Sequence, residues 1–225
     1  MAAFEAAVEV GADFMELDVR RTADGEIVCI HDATVDRTTD GSGEVSAMTL
    51  AEIRALDAGA WIGDEHAGAR IPTLREVLEQ IAPRLVVDIE IKQRGIAGQV
   101  MEIIRETGAL RRVTVVSFDR NDLRAAKAAE PALACGLITG GPEKDTIEAE
   151  RALIASALEC GASFASCAHR SIEPRLIREC HLAGLMLMAW TMDEPADIRR
   201  AIDLRVDALV SNYPERILEL LGEGA

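Results

Sequence analysis

Aromatic residues make up only 3% of the 225-residue chain, so we expect a core built mostly from Ala, Leu, Ile and Val. Basic residues are also few, since 24 Lys and Arg stand against 39 Asp and Glu and leave a net charge of -15. Nothing in the sequence resembles a clustered basic face, which argues against nucleic acid or an anionic membrane as the main partner. No run approaches about 18 consecutive apolar residues, so we expect no membrane span and no stable membrane insertion.

The five cysteines are odd in number and lack metal-type spacing. This number and spacing of cysteines favour reduced thiols in a reducing compartment, and we therefore predict a cytoplasmic location. The chain is long enough for one enzyme-sized core, and we predict a single domain over residues 1–225. Composition leaves the oligomeric state open.

Short β-rich runs alternate with amphipathic helical patterns, beginning with a helix at 1–10. The main strands are predicted at 13–19, 85–92, 113–118, 132–139, 163–168, 185–191 and 208–212. A hairpin partner at 27–31 follows the Asp24-Gly25 turn, and the polar stretch 33–47 is interpreted as a loop that reaches over a site. The repeated βα rhythm predicts a parallel sheet in an α/β fold. Seven main strands are one fewer than a TIM (β/α)8 barrel contains.

Carboxylates stand at alternate positions in two otherwise apolar strands. Residues two apart in a strand point to the same face, so Glu16 shares a face with Asp18, and Asp88 and Glu90 share one with Lys92. If the two polar faces converge, three carboxylates, those of Glu16, Asp18 and Glu90, lie close together, and each pair about 4 Å apart repels by roughly 4 kcal/mol at an effective dielectric of about 20. One lysine cannot offset three such repulsions, whereas a hard divalent cation such as Mg²⁺ or Ca²⁺ can.

Each of these features also has a structural explanation. Glu16 and Asp18 could line an exposed edge strand, and Glu90 with Lys92 could be an internal ion pair that braces a barrel. Strand-end His31 could be a satisfied polar residue, and Trp190 could simply fill core space. The position of the polar residues at the C-terminal ends of different strands favours a site, because barrel enzymes carry their chemistry on that rim.

A series of motifs resembles the glycerophosphodiester phosphodiesterase family over essentially the whole chain. In order, they are Glu-Leu-Asp-Val at 16–19, Thr-Ala-Asp-Gly at 22–25, His-Asp at 31–32, Arg-Thr-Thr at 37–39, Ile-Pro-Thr-Leu at 71–74, Glu-Ile-Lys at 90–92, Ser-Phe at 117–118 and Ala-Trp-Thr at 189–191. The resemblance implies a TIM barrel that hydrolyses small glycerophosphodiesters to sn-glycerol 3-phosphate and an alcohol with a divalent cation. It also implies that Glu16, Asp18 and Glu90 are the metal ligands and that His31 is one of two catalytic histidines.

One part of the family pattern is not found in these 225 residues. Family members begin with a strand that ends in His-Arg-Gly, whereas this sequence begins inside the helix that follows that strand. We therefore expect a barrel whose first β-strand is missing from this chain, with a mis-called start codon or a truncated fragment favoured over a degenerate family member. The activity of the chain by itself is accordingly in doubt.

The chemistry of a phosphodiester suggests roles for the remaining polar residues. Lys92 would sit over a phosphate oxygen as a point charge. His31 would act as general acid or base, with Asp32 as a candidate for orienting it. Arg37 in the following loop is a candidate phosphate contact, and Trp190 is placed to pack against a glycerol backbone.

Two other functions remain open at this point. One is a non-catalytic barrel, or inactive fragment, that binds a metal or a phosphate ester. The other is a related phospholipase of the D type, which ranks low because residues 33–47 and 62–70 are polar where membrane contact would call for apolar loops.

Overall fold

The structure is a computed structural model that describes residues 1–222. Contacts within the chain group it into two compact units, Met1–Thr114 and Val115–Ala225. The single domain over residues 1–225 stays a prediction.

The first unit is a strand-and-helix arrangement that begins with a helix, as predicted. Its strands are β1 (Phe14–Arg21), β2 (Ile27–Cys29) and β3 (Val86–Ile91), and its helices are α1 (Ala2–Glu9), α2 (Leu50–Ala55), α3 (Leu74–Gln80) and α4 (Ala97–Glu106). β1 is central, since it pairs in parallel with β3 and antiparallel with β2. The predicted hairpin across Asp24-Gly25 is therefore confirmed, with Gly25 at a positive φ of 92°.

Alternation along β1 explains why this segment is a strand with two different faces. Met15, Leu17 and Val19 are buried, while the residues between them are polar. Burying one apolar face specifies the strand's register, because a one-residue slip would expose all three side chains. The predicted start of α3 is also confirmed, since Thr73 and Glu76 form a reciprocal capping box.

The polar stretch after β2 is better ordered than a simple loop because it has its own small core. This core consists of Val28, Ile30, Val35, Val45, Ile53 and Ile71. Val35 N–H donates to Gly43 O at 3.0 Å, and Val45 N–H donates to Ala33 O at 2.9 Å. Apolar burial and these backbone hydrogen bonds together hold residues 33–45 in place.

The second unit continues the βα alternation that the sequence predicted. It contains most of β4 (Val113–Ser117), then β5 (Cys135–Thr139), β6 (Phe164–Ala168), β7 (Met186–Trp190) and β8 (Ala208–Leu209). The helices are α5 (Arg120–Ala129), α6 (Ile147–Glu159), α7 (Pro174–Leu182), α8 (Pro195–Asp203) and α9 (Pro214–Gly222). Each strand from β4 to β8 pairs in parallel with the next, which confirms the α/β fold class.

The last strand is shorter than predicted. The sequence placed it at 208–212, but it ends at Leu209. Beyond it, Ser211 Oγ, Asn212 N–H and Asn212 Nδ2 all donate to the Asp193 carboxylate at 2.9–3.1 Å. These bonds turn the chain out of the strand, and the sequence pattern does not show such a long-range partner.

None of the helices within residues 1–222 combines the length and apolar character that a membrane crossing requires.

Candidate active site

The paired strands β1 and β3 bring the predicted carboxylates together. In their parallel register, Glu16 lies opposite Asp88 and Asp18 lies opposite Glu90. One carboxylate oxygen each from Glu16, Asp18 and Glu90 lies within 4.8 Å of the other two. The prediction that the two polar faces converge is therefore confirmed, and the alternative of an exposed edge strand is wrong because β1 is paired on both sides.

Lys92 binds two of these carboxylates. Its Nζ lies 2.7 Å from Glu90 Oε1 and 3.3 Å from Asp18 Oδ1. Burial favours the neutral amine, but the hydrogen bond to Glu90 and the charge of Asp18 outweigh it and raise the pKa of Lys92. The internal ion pair considered for Glu90 and Lys92 is thus present, and the same ammonium also reaches Asp18.

Glu16 has the most strongly perturbed carboxylate in this arrangement, although the charge of Lys92 opposes part of the shift in its pKa. Its Oε1 is buried and has no hydrogen-bond partner among the described residues. Burial, followed by the charges of Asp18, Asp88 and Glu90, raises the pKa of Glu16 to about 9. Burial is likewise the main reason that the pKa of Glu90 is raised.

This geometry fits a hard divalent cation. Mg²⁺ and Ca²⁺ take carboxylate oxygens at about 2.0–2.6 Å, so oxygens within 4.8 Å of one another can reach a common ion. The buried Glu16 oxygen would gain a partner, and the like-charge repulsion would be neutralised. Glu16, Asp18 and Glu90 are therefore the residues that could hold such an ion.

Asp88 is a further acidic residue of this region, for which no role was predicted from the sequence. It is buried, accepts a hydrogen bond from Thr114 Oγ1, and its pKa is raised to about 7 chiefly by burial. The signal was present in the sequence, because Asp88 alternates with Glu90 and Lys92 on one face of β3.

His31 and Arg37 belong to the same unit and are joined through Asp32. His31 Nδ1 lies 2.7 Å from Asp32 Oδ1, and Arg37 contacts the other side of that carboxylate. The backbone holds this group near the acidic strands, because Ile30 N–H donates to Asp18 O at 2.9 Å. The charge of His31 also acts on Glu90.

Trp190 lies at the end of β7 in the second unit, where the sequence predicted a strand-end aromatic residue. Its ring meets Phe118 in a T-shaped contact with centroids 6.3 Å apart. The indole Nε1 is buried and has no hydrogen-bond partner among residues 1–222, whereas buried tryptophan N–H groups usually have one.

In the absence of a bound cation, the protein is expected to lose stability as pH rises from about 5 to 9. Unfolded glutamate titrates near 4.3, whereas Glu16 in the folded chain titrates near 9. Between these values the folded state holds a proton that the unfolded state has lost, so the stability decreases with pH by up to about 1.4 kcal/mol per unit. Asp88, with its raised pKa, acts in the same direction below about pH 7.

Thermal unfolding in EDTA at pH 6 and pH 8.5 measures this effect. A Glu16→Gln variant should show a smaller decrease in melting temperature between the two pH values. Equal slopes for wild type and variant would contradict the burial of the Glu16 carboxylate.

The fold and this site define a phosphoric diester hydrolase of the α/β class. Residues 1–216 match the glycerophosphoryl diester phosphodiesterase family, and the chain belongs to that family. The resemblance carried by the sequence motifs is thereby confirmed.

The similarity to named relatives extends over nearly the whole chain. A glycerophosphodiester phosphodiesterase of Caldanaerobacter subterraneus is 39% identical over 100% of this chain and 92% of its own length. Among solved structures, a glycerophosphodiester phosphodiesterase from Agrobacterium tumefaciens is 30% identical, with a TM-score of 0.82 over 96% of this chain and 90% of its own. These similarities confirm the predicted TIM-barrel class.

A third relative contains a ligand. A phosphodiesterase from Oleispira antarctica, solved in complex with the product sn-glycerol-3-phosphate, is 26% identical and has a TM-score of 0.85. The similarity covers 98% of this chain and 90% of that one.

Proposed function

We propose that the chain hydrolyses small glycerophosphodiesters to sn-glycerol 3-phosphate and an alcohol, with a divalent cation, Mg²⁺ or Ca²⁺, held by Glu16, Asp18 and Glu90. The observation that carries the proposal is the convergence of three carboxylates within 4.8 Å. The buried Oε1 of one of them, Glu16, has no hydrogen-bond partner in the described part of the chain. The product complex of the Oleispira relative supports the substrate class.

The residues around the cluster have separate tasks in this reaction. When bound, the cation neutralises charge on the phosphoryl oxygens and activates the nucleophile. The Lys92 ammonium supplies a further positive charge for a phosphate oxygen. His31 takes a proton from the nucleophile or donates one to the leaving alcohol, a task that imidazole performs near neutral pH. The packing of Trp190 against a glycerol backbone stays a prediction.

Purified chain incubated with glycerophosphocholine should release sn-glycerol 3-phosphate when Mg²⁺, Ca²⁺ or Mn²⁺ is present, and the release should stop in EDTA. Re-addition of each ion separately identifies the preferred metal. Saturable cation binding without release of product, for every glycerophosphodiester tried, would favour a non-catalytic binding barrel. Release of headgroup from lysophospholipid vesicles alone would favour a phospholipase of the D type.

A cytoplasmic location stays a prediction. Its support is that no disulfide joins any of the five cysteines within residues 1–222 and that four of them are buried, a pattern typical of proteins in reducing compartments.

A further inference from the structure

Arg37 contacts Asp32 through one complete edge of its guanidinium group. Its Nε donates to Asp32 Oδ2 at 2.6 Å, and its Nη2 donates to Asp32 Oδ1 at 3.0 Å. Two parallel bonds of this kind fix the plane of a carboxylate as well as its charge. They also hold the pKa of Asp32 well below its usual range, with a further contribution from His31.

The same carboxylate oxygen that accepts from Arg37 Nη2 also meets the His31 ring. Asp32 Oδ1 lies 2.7 Å from His31 Nδ1. An ionised carboxylate has no proton to offer, so this bond requires the hydrogen to be on Nδ1. The neutral ring is therefore held in the tautomer that leaves Nε2 able to accept a proton.

The loop that carries Arg37 is built to keep the guanidinium in this position. Val35, two residues earlier, is fully buried in the small core of the first unit. Two residues later, Thr39 Oγ1 donates to Val35 O at 2.8 Å. Asp36 Oδ2 accepts from Gly43 N–H at 3.1 Å, closing the other side of the loop. A short, internally bonded segment is thus anchored on both sides of Arg37.

We propose that Arg37 is a positioning residue that acts through Asp32 on His31, and that it is not the phosphate ligand that the sequence suggested. Its guanidinium edge orients the Asp32 carboxylate, which in turn fixes the orientation and tautomer of the His31 imidazole. This inference rests on the proposed function, because the reaction assigned to His31 is the one that the positioning serves.

Kinetics of Arg37→Gln and Arg37→Lys distinguish the two roles. A positioning role predicts a decrease in kcat of about 10- to 100-fold, the size typical when a partner that orients a functional histidine is lost, with KM changed by less than about threefold. Lysine should not rescue kcat, because it lacks the planar two-point fork. A phosphate ligand would instead raise KM, and lysine would restore much of the binding as a point charge.

The matched control is Arg54→Gln, which removes another exposed arginine that pairs with a carboxylate, Glu76, in the same unit. It should keep wild-type kinetics. A decrease in kcat for Arg54→Gln equal to that for Arg37→Gln would overturn the inference, since loss of any surface ion pair would then suffice.

A second readout does not depend on activity. The ring nitrogen resonances of His31, recorded by ¹⁵N NMR on the metal-free chain at a pH where the ring is neutral, should show the Nδ1–H tautomer. In Arg37→Gln the resonances should move toward a mixture of tautomers. Unchanged tautomer populations would overturn the inference, whereas a wild-type chain that releases no glycerol 3-phosphate would overturn the proposed function and leave this readout valid.

Discussion

Replacing Glu16 by glutamine is expected to lower phosphodiesterase activity by about a thousandfold or more. Glu16 has the most strongly perturbed carboxylate of the cluster, and its buried Oε1 has no hydrogen-bond partner within residues 1–222. Lewis-acid assistance by a metal contributes several kcal/mol to such reactions, and each 1.36 kcal/mol corresponds to a tenfold change in rate. Initial rates with glycerophosphocholine and saturating Mg²⁺ measure the loss.

The same variant should be more stable than wild type when no metal is present. Glutamine has nearly the shape of glutamate but does not ionise. The variant therefore avoids the cost of protonating Glu16 on folding at pH 8, where the unfolded carboxylate is ionised and the folded one, with a pKa of about 9, is largely protonated. Melting temperatures in EDTA at pH 8 test this expectation, and titration with Mg²⁺ should stabilise only the wild type. Lower activity with higher apo stability is the pattern of a functional site, because a structural carboxylate would lose both.

A suitable control for this variant is Glu26→Gln, which removes an exposed carboxylate beside the hairpin turn of the same unit. It should leave both activity and cation-induced stabilisation unchanged. The metal-site proposal would be wrong if Glu16→Gln retained wild-type turnover, or if its cation-induced stabilisation matched that of the control.

The second large effect is expected for His31. Replacing His31 by glutamine should lower kcat by about 10² to 10⁴-fold, the usual contribution of a positioned general acid or base. KM and cation-induced stabilisation should change little, because His31 is not part of the cluster of three carboxylates. The kinetic constants and the Mg²⁺-dependent melting temperatures together measure these effects.

His66→Gln is the matched histidine control, because His66 lies in the same unit and its nearest carboxylate contact, with Glu65 Oε1, is a long one of 3.8 Å. Its kinetics should equal those of the wild type. Near-normal turnover of His31→Gln would remove the imidazole from the mechanism and leave the proton transfer to solvent.

The Glu16–Asp18 and Glu90–Lys92 pairs were predictable from the sequence because a strand alternates its faces with a period of two residues. That rule is local and holds in any sheet. The convergence of Glu16, Asp18 and Glu90 could also be predicted, since parallel strands present their C-terminal ends at one edge of the sheet. Trp190 was likewise found at the end of its strand, although its contact with Phe118 depends on packing between strands distant in sequence.

The burial of Glu16 could not be predicted from the strand pattern. Alternation places its side chain on the polar face but says nothing about how much water that face retains. The raised pKa depends on desolvation and on the charges of residues about 70 positions away in the chain. Such effects arise only when the long-range register of β1 with β3 is fixed.

The contact of Arg37 with Asp32 also could not be predicted from the sequence. A basic residue in a polar loop near a phosphate site is equally compatible with a substrate contact and with an ion pair. In the structure, the loop's own core and hydrogen bonds place the guanidinium against Asp32, and the positioning role of Arg37 is a proposal that rests on this contact. The end of β8 at Leu209 was likewise not predicted, since the hydrogen bonds from Ser211 and Asn212 to Asp193 join segments that the local pattern does not relate.

The sequence by itself therefore determined the α/β rhythm, the polar strand faces and the family, because these depend on periodicity and residue type within short segments. Only the tertiary structure decided which carboxylate of the cluster has the most strongly raised pKa and which side chain Arg37 contacts. The physical reason is that desolvation and side-chain pairing are properties of the assembled environment, and they are fixed only when segments far apart in the chain pack together.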